Sequence, residues 1–164
     1  MSLNLFVSYS TLDLEQVSAL HGELSSTPIN VYVAEHSMPP GANINQEIKN
    51  SIAQSDAFVL VWSHNARASE WVLQELGQAV VLQKQILPII LDPGLKLPES
   101  ISSLKFISFA ENPAGAMRQA RDFLYANYEA RKFQLEAAAR AQEEKDNLVK
   151  LGLAGLAVWL FTRK

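Results

Sequence analysis

Five short apolar runs mark the first two-thirds of the chain: Leu3 to Ser8, Asn30 to Ala34, Ala57 to Trp62, Ile86 to Leu91 and Lys105 to Phe109. Most are apolar at consecutive rather than alternate positions, which predicts strands buried on both faces. Between them, apolar residues recur at helical spacing: Leu14, Val17, Leu20 and Leu24, then Ile44, Ile48 and Ile52, then Val72, Leu76 and Val80. Alternating strands and helices imply an α/β fold in which helices cover a parallel sheet. Helix-start signals agree. Asp13 with Gln16 and Asn43 with Gln46 have capping-box spacing, and Ser69 can cap a third helix carrying Glu70 in its first turn. Pro88 lies inside the fourth run and removes a ladder donor, so that run suits an edge or a bulge better than a central position.

Asp92 to Ser103, with Pro93, Gly94 and Pro98, reads as a loop before the fifth strand. A last helix is expected to begin near Pro113, with Met117, Ala120, Leu124 and Tyr128 near one face, which places the domain over residues 1–128. Residues 129–147, rich in Ala, Glu, Gln, Arg and Lys, predict a solvated helical extension. Residues 148–164 form an apolar segment ending in Thr162, Arg163 and Lys164. Its uninterrupted part, Leu151 to Phe161, is short for a bilayer core, which needs roughly 20 residues. It is nonetheless apolar on all sides, flanked by Lys145, Lys150, Arg163 and Lys164, and carries Trp159. Membrane contact, self-association and docking on a partner all remain open for it.

Composition narrows the chemistry. The formal charge of −3, without a basic run interleaved with aromatics, argues against a nucleic-acid partner. The absence of cysteine excludes disulfides, zinc-thiolate sites and a cysteine nucleophile. Met1 to Asn4 lacks a basic leader region, which fits a cytoplasmic domain. No phosphate-binding loop, dinucleotide fingerprint or hydrolase elbow is present, and His21, His36 and His64 lack metal-ligand spacing. No metal or bound cofactor is expected.

In an open parallel sheet, ligands bind beyond the carboxyl ends of the strands where the strand order reverses. For a flavodoxin-like five-stranded sheet of order 2-1-3-4-5, that point lies between the first and third strands. Ser8, Tyr9, Ser10 and Thr11 leave the first strand there, Ser63, His64 and Asn65 leave the third, and the following helix carries Trp71 and Glu75. A phosphoacceptor receiver needs acidic residues at these strand ends, so that reading falls. Trp71 and Glu75, four positions apart, share a helix face. Lying beside the stripe of Val72, Leu76 and Val80, Glu75 is expected to be half exposed against apolar neighbours, a setting that raises a carboxylate's pKa and strengthens its hold on a developing cation. The plainer alternative is a surface glutamate beside a half-buried tryptophan. Glu35 to Gly41, with Pro39, Pro40 and Gly41, predicts a shaped loop at the same edge, either a pocket wall or a contact surface.

Taken in order, Leu5 to Ser10, Glu35 to Gly41, Ser55 to Ser63, Ser63-x-Asn65 followed by Ser69-x-Trp71-Val72-x-x-Glu75, and Ile86 to Asp92 resemble the successive signatures of the TIR domain family. The resemblance covers about Leu3 to Tyr128 and implies a flavodoxin-like fold. It offers two functions. In the enzymatic branch, common in bacterial antiviral defence, the glutamate matching Glu75 cleaves NAD⁺, a substrate rather than a cofactor. Ser8, Tyr9, Ser10, Thr11, Glu35 and Trp71 would then line the substrate pocket. Water would give ADP-ribose and an internal hydroxyl a cyclic product, which a separate effector protein could sense. In the adaptor branch the domain only assembles with other TIR domains. The Glu35–Gly41 segment matches the family's BB loop, so His36, Ser37, Met38, Pro39, Pro40 and Gly41 would mediate assembly into a homo-oligomer.

Overall fold

A computed structural model describes residues 2–33 and 44–161. Its strands are β1 (Leu3–Ser8), β2 (Ile29–Val33), β3 (Ala57–Trp62), β4 (Ile86–Ile90) and β5 (Ile107–Ser108). They form one parallel sheet of order β2-β1-β3-β4-β5. The helices are α1 (Leu14–Leu24), α2 (Ile44–Gln54), α3 (His64–Ala68), α4 (Glu70–Val81) and α5 (Pro113–Phe161). The expected sheet order is therefore present, and β1 and β3 span the expected residues. The fifth strand, expected from Lys105 to Phe109, is only Ile107–Ser108.

β3 is buried throughout and apolar at every position, and β1 is buried at every position but Asn4. Phe6 and Phe58 are register neighbours whose rings stack at 5.4 Å. With Leu60, Trp62, Ile48, Ile52, Val72 and Leu76 they form the core on the face covered by α2 and α4. The alternate residues Leu5, Val7 and Val59 point to the other face and are also buried, as are Val17, Leu20 and Leu24 of α1 and Ala116, Met117, Ala120 and Leu124 of α5.

Pro88 sits not in the outermost strand but at a locally open edge of the next one, as β5 pairs only from Ile89 onward. It lies in β4, paired with Leu60 of β3, and the position is tolerated because its neighbour β5 is so short. The Leu91 amide bonds to Trp62 of β3, while the Ile90 carbonyl accepts from Phe109 on the β5 side. Backbone groups alternate sides along a strand, so the missing Pro88 N–H also falls on the β5 side, where pairing starts only at Ile89.

One tie joins the end of α4 to the end of α2. The end of α4 closes as a Schellman motif: Lys84 N–H bonds to Ala79 C=O, Gln83 N–H bonds to Val80 C=O, and Gln83 adopts φ +52°. The turn delivers Lys84 to the end of α2, where its ammonium donates to the carbonyls of Ala53 and Ser55 at 2.6 and 2.7 Å.

By contact density the chain divides into two units, Met1–Ala126 and Asn127–Lys164. Within the second, side chains from Glu129 to Lys150 are nearly all exposed, Phe133 among them, and Gln142 bonds to Asp146 one turn on. Among the described residues no helix is long and apolar enough to cross a membrane.

Gln83 occupies a backbone conformation that glycine adopts without steric penalty. Gln83→Gly should therefore stabilise the fold by about 0.5–1 kcal/mol, and Gln83→Val should destabilise it by a similar amount. Urea unfolding of the three proteins checks the order.

Candidate functional site

The carboxyl ends of β1 and β3 hold two side-by-side polar bridges in an otherwise apolar interior. In the first, Ser8 Oγ at the end of β1 donates to Glu75 Oε2 of α4 at 2.6 Å. Ser69 caps α4 by accepting from the Val72 amide, which starts the helix at Glu70 and sets the rotation that aims Glu75 at the sheet. Glu75 is only 1% exposed, against the expectation of a half-exposed group. The buried stripe is Val72, Glu75, Leu76 and Ala79, whereas Val80 is only half-buried. The helix is thus turned so that the glutamate lies within its apolar stripe rather than beside it.

Burial lifts the Glu75 carboxyl from 4.5 to about 7, and the Ser8 hydrogen bond pulls in the opposite direction. Its second oxygen, Oε1, is buried without a hydrogen-bond partner among the described residues. The site therefore holds an acid that titrates near neutrality and has one vacant acceptor position.

The second bridge was not legible as such. Asp13, expected to cap α1, makes no capping bond. It is 5% exposed and instead accepts from Ser63 Oγ at 2.5 Å and from Asn65 Nδ2 at 2.9 Å. Ser63 also accepts from the Ala66 amide and so caps α3, a short helix that the periodicity does not predict. Ser63 and Asn65 stand at the expected binding edge, and pairing them with the nearest acid after the first strand would have exposed the cluster.

The remaining candidates divide. Tyr9 and Ser10 are buried, and Ser10 caps the 3₁₀ turn Thr11–Asp13 by accepting from the Leu12 amide. Thr11 is exposed at the start of that turn. Trp71 is half-buried and packs against the apolar core. Glu35, His36, Ser37, Met38, Pro39, Pro40 and Gly41 lie outside the described residues, as does the proposed cap Asn43. Among the described residues no group of three or more His, Asp or Glu is placed to hold a metal ion.

Residues 5–124 match the sequence profile of the TIR domain. The chain belongs to the TIR domain family. A Brachypodium distachyon protein named "Probable 2' cyclic ADP-D-ribose synthase BdTIR" is 26% identical over 102 residues, 59% of this chain and 46% of that protein. The chain thus spans less than half the length of that relative. Among solved structures, the TIR domain of the Toll-related receptor TRR-2 from Hydra magnipapillata superposes with a TM-score of 0.58 at 18% identity, covering 79% of this chain and 97% of that one. A prokaryotic SEFIR domain gives a TM-score of 0.55 at 17% identity, covering 76% of this chain and 99% of that one. Both structural likenesses establish the fold alone.

The raised pKa of Glu75 in this TIR fold has a stability consequence. Between about pH 4.5 and 7 the folded chain keeps a proton on Glu75 that the unfolded chain releases. The site's contribution is therefore full below the unfolded value and is lost as the pH rises through the folded one. Wild type should lose on the order of 3 kcal/mol from this group between about pH 4 and pH 8. Glu75→Gln should lack that slope, which urea unfolding across the range would measure. An identical slope in the variant would refute a buried, proton-holding Glu75.

Proposed function

We propose that the chain is a TIR-family NAD⁺ nucleosidase that breaks the nicotinamide–ribose bond. The observation that carries this reading is the buried Glu75 carboxyl, held by Ser8 at one oxygen and without a partner among the described residues at the other, where the strand order of the sheet reverses. The relative named as a cyclic ADP-ribose synthase lends support from the same family.

The chemistry needs little more than one carboxylate. The glycosidic nitrogen of NAD⁺ is cationic, so when the C–N bond breaks its electron pair neutralises the departing nicotinamide. No general acid is required, unlike ordinary glycoside hydrolysis with its two carboxyl groups. Ionised Glu75 offers Oε1 to the ribose hydroxyls and stabilises the positive charge that grows on the sugar, an interaction strengthened by the dry surroundings. Ser8 fixes the other oxygen. Trp71 anchors the first turn of α4 to the core and keeps the carboxylate in register. Water captures the sugar cation to give ADP-ribose and a proton; an internal hydroxyl gives a cyclic product instead.

Because Glu75 is only 1% exposed, substrate reaches it after a neighbouring segment shifts. Assembly of copies through the loop from His36 to Gly41 is the event we assign to that shift, making activity conditional on a homo-oligomer. Loss of NAD⁺, or a product read by a separate effector, is then the output, as fits antiviral defence. The same burial favours a second reading, in which Ser8 and Glu75 are structural and the domain is a scaffold for homotypic assembly.

Full-length wild type, Glu75→Gln and Ser8→Ala incubated with NAD⁺, with nicotinamide and ribosyl products followed by chromatography, separate the two readings. Glu75→Gln should lower release by about 100-fold or more, and Ser8→Ala by about tenfold. Equal release from wild type and Glu75→Gln sinks the enzymatic assignment, and no turnover even in assembled protein points to the scaffold.

A further inference from the structure

A second concave site lies along the connection between β4 and β5. Its volume is about 700 Å³, and neither Ser8 nor Glu75 lines it. Trp62 forms part of its wall at the end of β3, and Leu73, Leu95 and Leu97 supply further apolar surface. Arg67, from the last turn of α3, and Lys96, from the connection, supply positive charge.

The cavity is tied at several points. Trp62 Nε1–H donates to the Lys96 carbonyl at 3.0 Å, which pins the connection to β3. At its start, Asp92 Oδ2 accepts from the His64 amide at 2.6 Å and lies 2.7 Å from His64 Nδ1, which joins the connection to α3. Gly94, at φ +73°, turns the chain between these anchors. A loop fixed in this way loses little conformational freedom when a ligand binds.

Its charge is unanswered. No acid lines the cavity among the described residues, Asp92 at the start of the connection is engaged by His64, and neither Arg67 nor Lys96 forms a salt bridge among the described residues. Two cations without an acidic partner thus border one cavity. The volume exceeds what a bare anion needs and falls within the range of small-molecule sites. A monocarboxylate would answer only one cation. A phosphomonoester carries close to two negative charges at neutral pH and suits the planar guanidinium fork together with a second point charge. The leucine surface calls for a flat, weakly polar body attached to that phosphate.

We propose that this cavity binds a nucleoside monophosphate, its phosphate between Arg67 and Lys96 and its base against Leu73, Leu95 and Leu97. The site is separate from Glu75 and does not depend on NAD⁺ cleavage. Occupancy would tie α3 to the β4–β5 connection immediately ahead of the helix that carries Glu75.

Titration calorimetry on the full-length protein with adenosine 5′-monophosphate, adenosine, ribose 5-phosphate and inorganic phosphate tests it. The monophosphate should bind saturably, and each fragment at least about tenfold more weakly. Arg67→Ala and Lys96→Ala, both at exposed positions, should each weaken the monophosphate about tenfold or more with unchanged thermal unfolding. Glu75→Gln should bind as wild type does. No saturable binding, equal binding of inorganic phosphate, or loss of binding in Glu75→Gln with retention in the Arg67 and Lys96 variants would overturn the proposal. None of these readouts requires turnover, so failure of the enzymatic reading would leave the result interpretable.

Discussion

One carboxyl group kept out of water constrains the centre of this domain. Glu75 faces the sheet from within the apolar stripe of α4, and an ionised carboxylate there is unfavourable without compensating donors. Ser8 supplies one, and the group's own proton serves up to near-neutral pH. The geometry of β1, α4 and the cap at Ser69 is consistent with holding that arrangement. The neighbouring bridge also buries an acid, Asp13 in the turn after β1, which accepts from Ser63 and Asn65 just beyond the end of β3. Together the bridges link the end of β1 and the turn after it to α4 and the end of β3, at the point where the strand order reverses.

Much of this architecture could be read from the chain. Runs of apolar residues, unbroken in β3 and broken only at Asn4 within β1, located both strands to the residue, because burial on both faces leaves little ambiguity of period. Helical spacing located α1, α2 and α4, and Ser69 marked the start of α4. α3 escaped because a five-residue helix has no periodicity to detect. β5 was read too long because Phe106, Ile107 and Phe109 make the stretch β-prone locally, whereas pairing with β4 sustains only two residues. The length of a strand depends on its partner, and the partner is invisible in a local window.

The site was legible in part. The pairing of residues leaving β1 with α4 followed from the switch point of the sheet, and Ser8 with Glu75 realises it. The depth of Glu75 did not follow. A helical wheel assigns a glutamate to the solvent side unless its neighbours three and four residues away are examined, and here Val72 and Ala79 flank it on the buried side. Asp13 was misassigned for the reverse reason: local capping spacing competed with a donor fifty positions away, and the distant one prevailed. Residues 34–43, on which the assembly loop falls, lie outside the described residues.

The short β5 has a further consequence, for solubility rather than chemistry. The N-terminal half of β4 is left as an open edge, with the exposed apolar side chains Leu104, Phe106 and Phe123 nearby. An uncovered hydrophobic edge invites a strand from another molecule to add to it and seed aggregates. Pro88 interrupts the ladder there, since an incoming strand would find no donor at the point where pairing must pass beyond Ile89. The proline thus lets the sheet end early while keeping its unfinished margin resistant to indiscriminate strand addition.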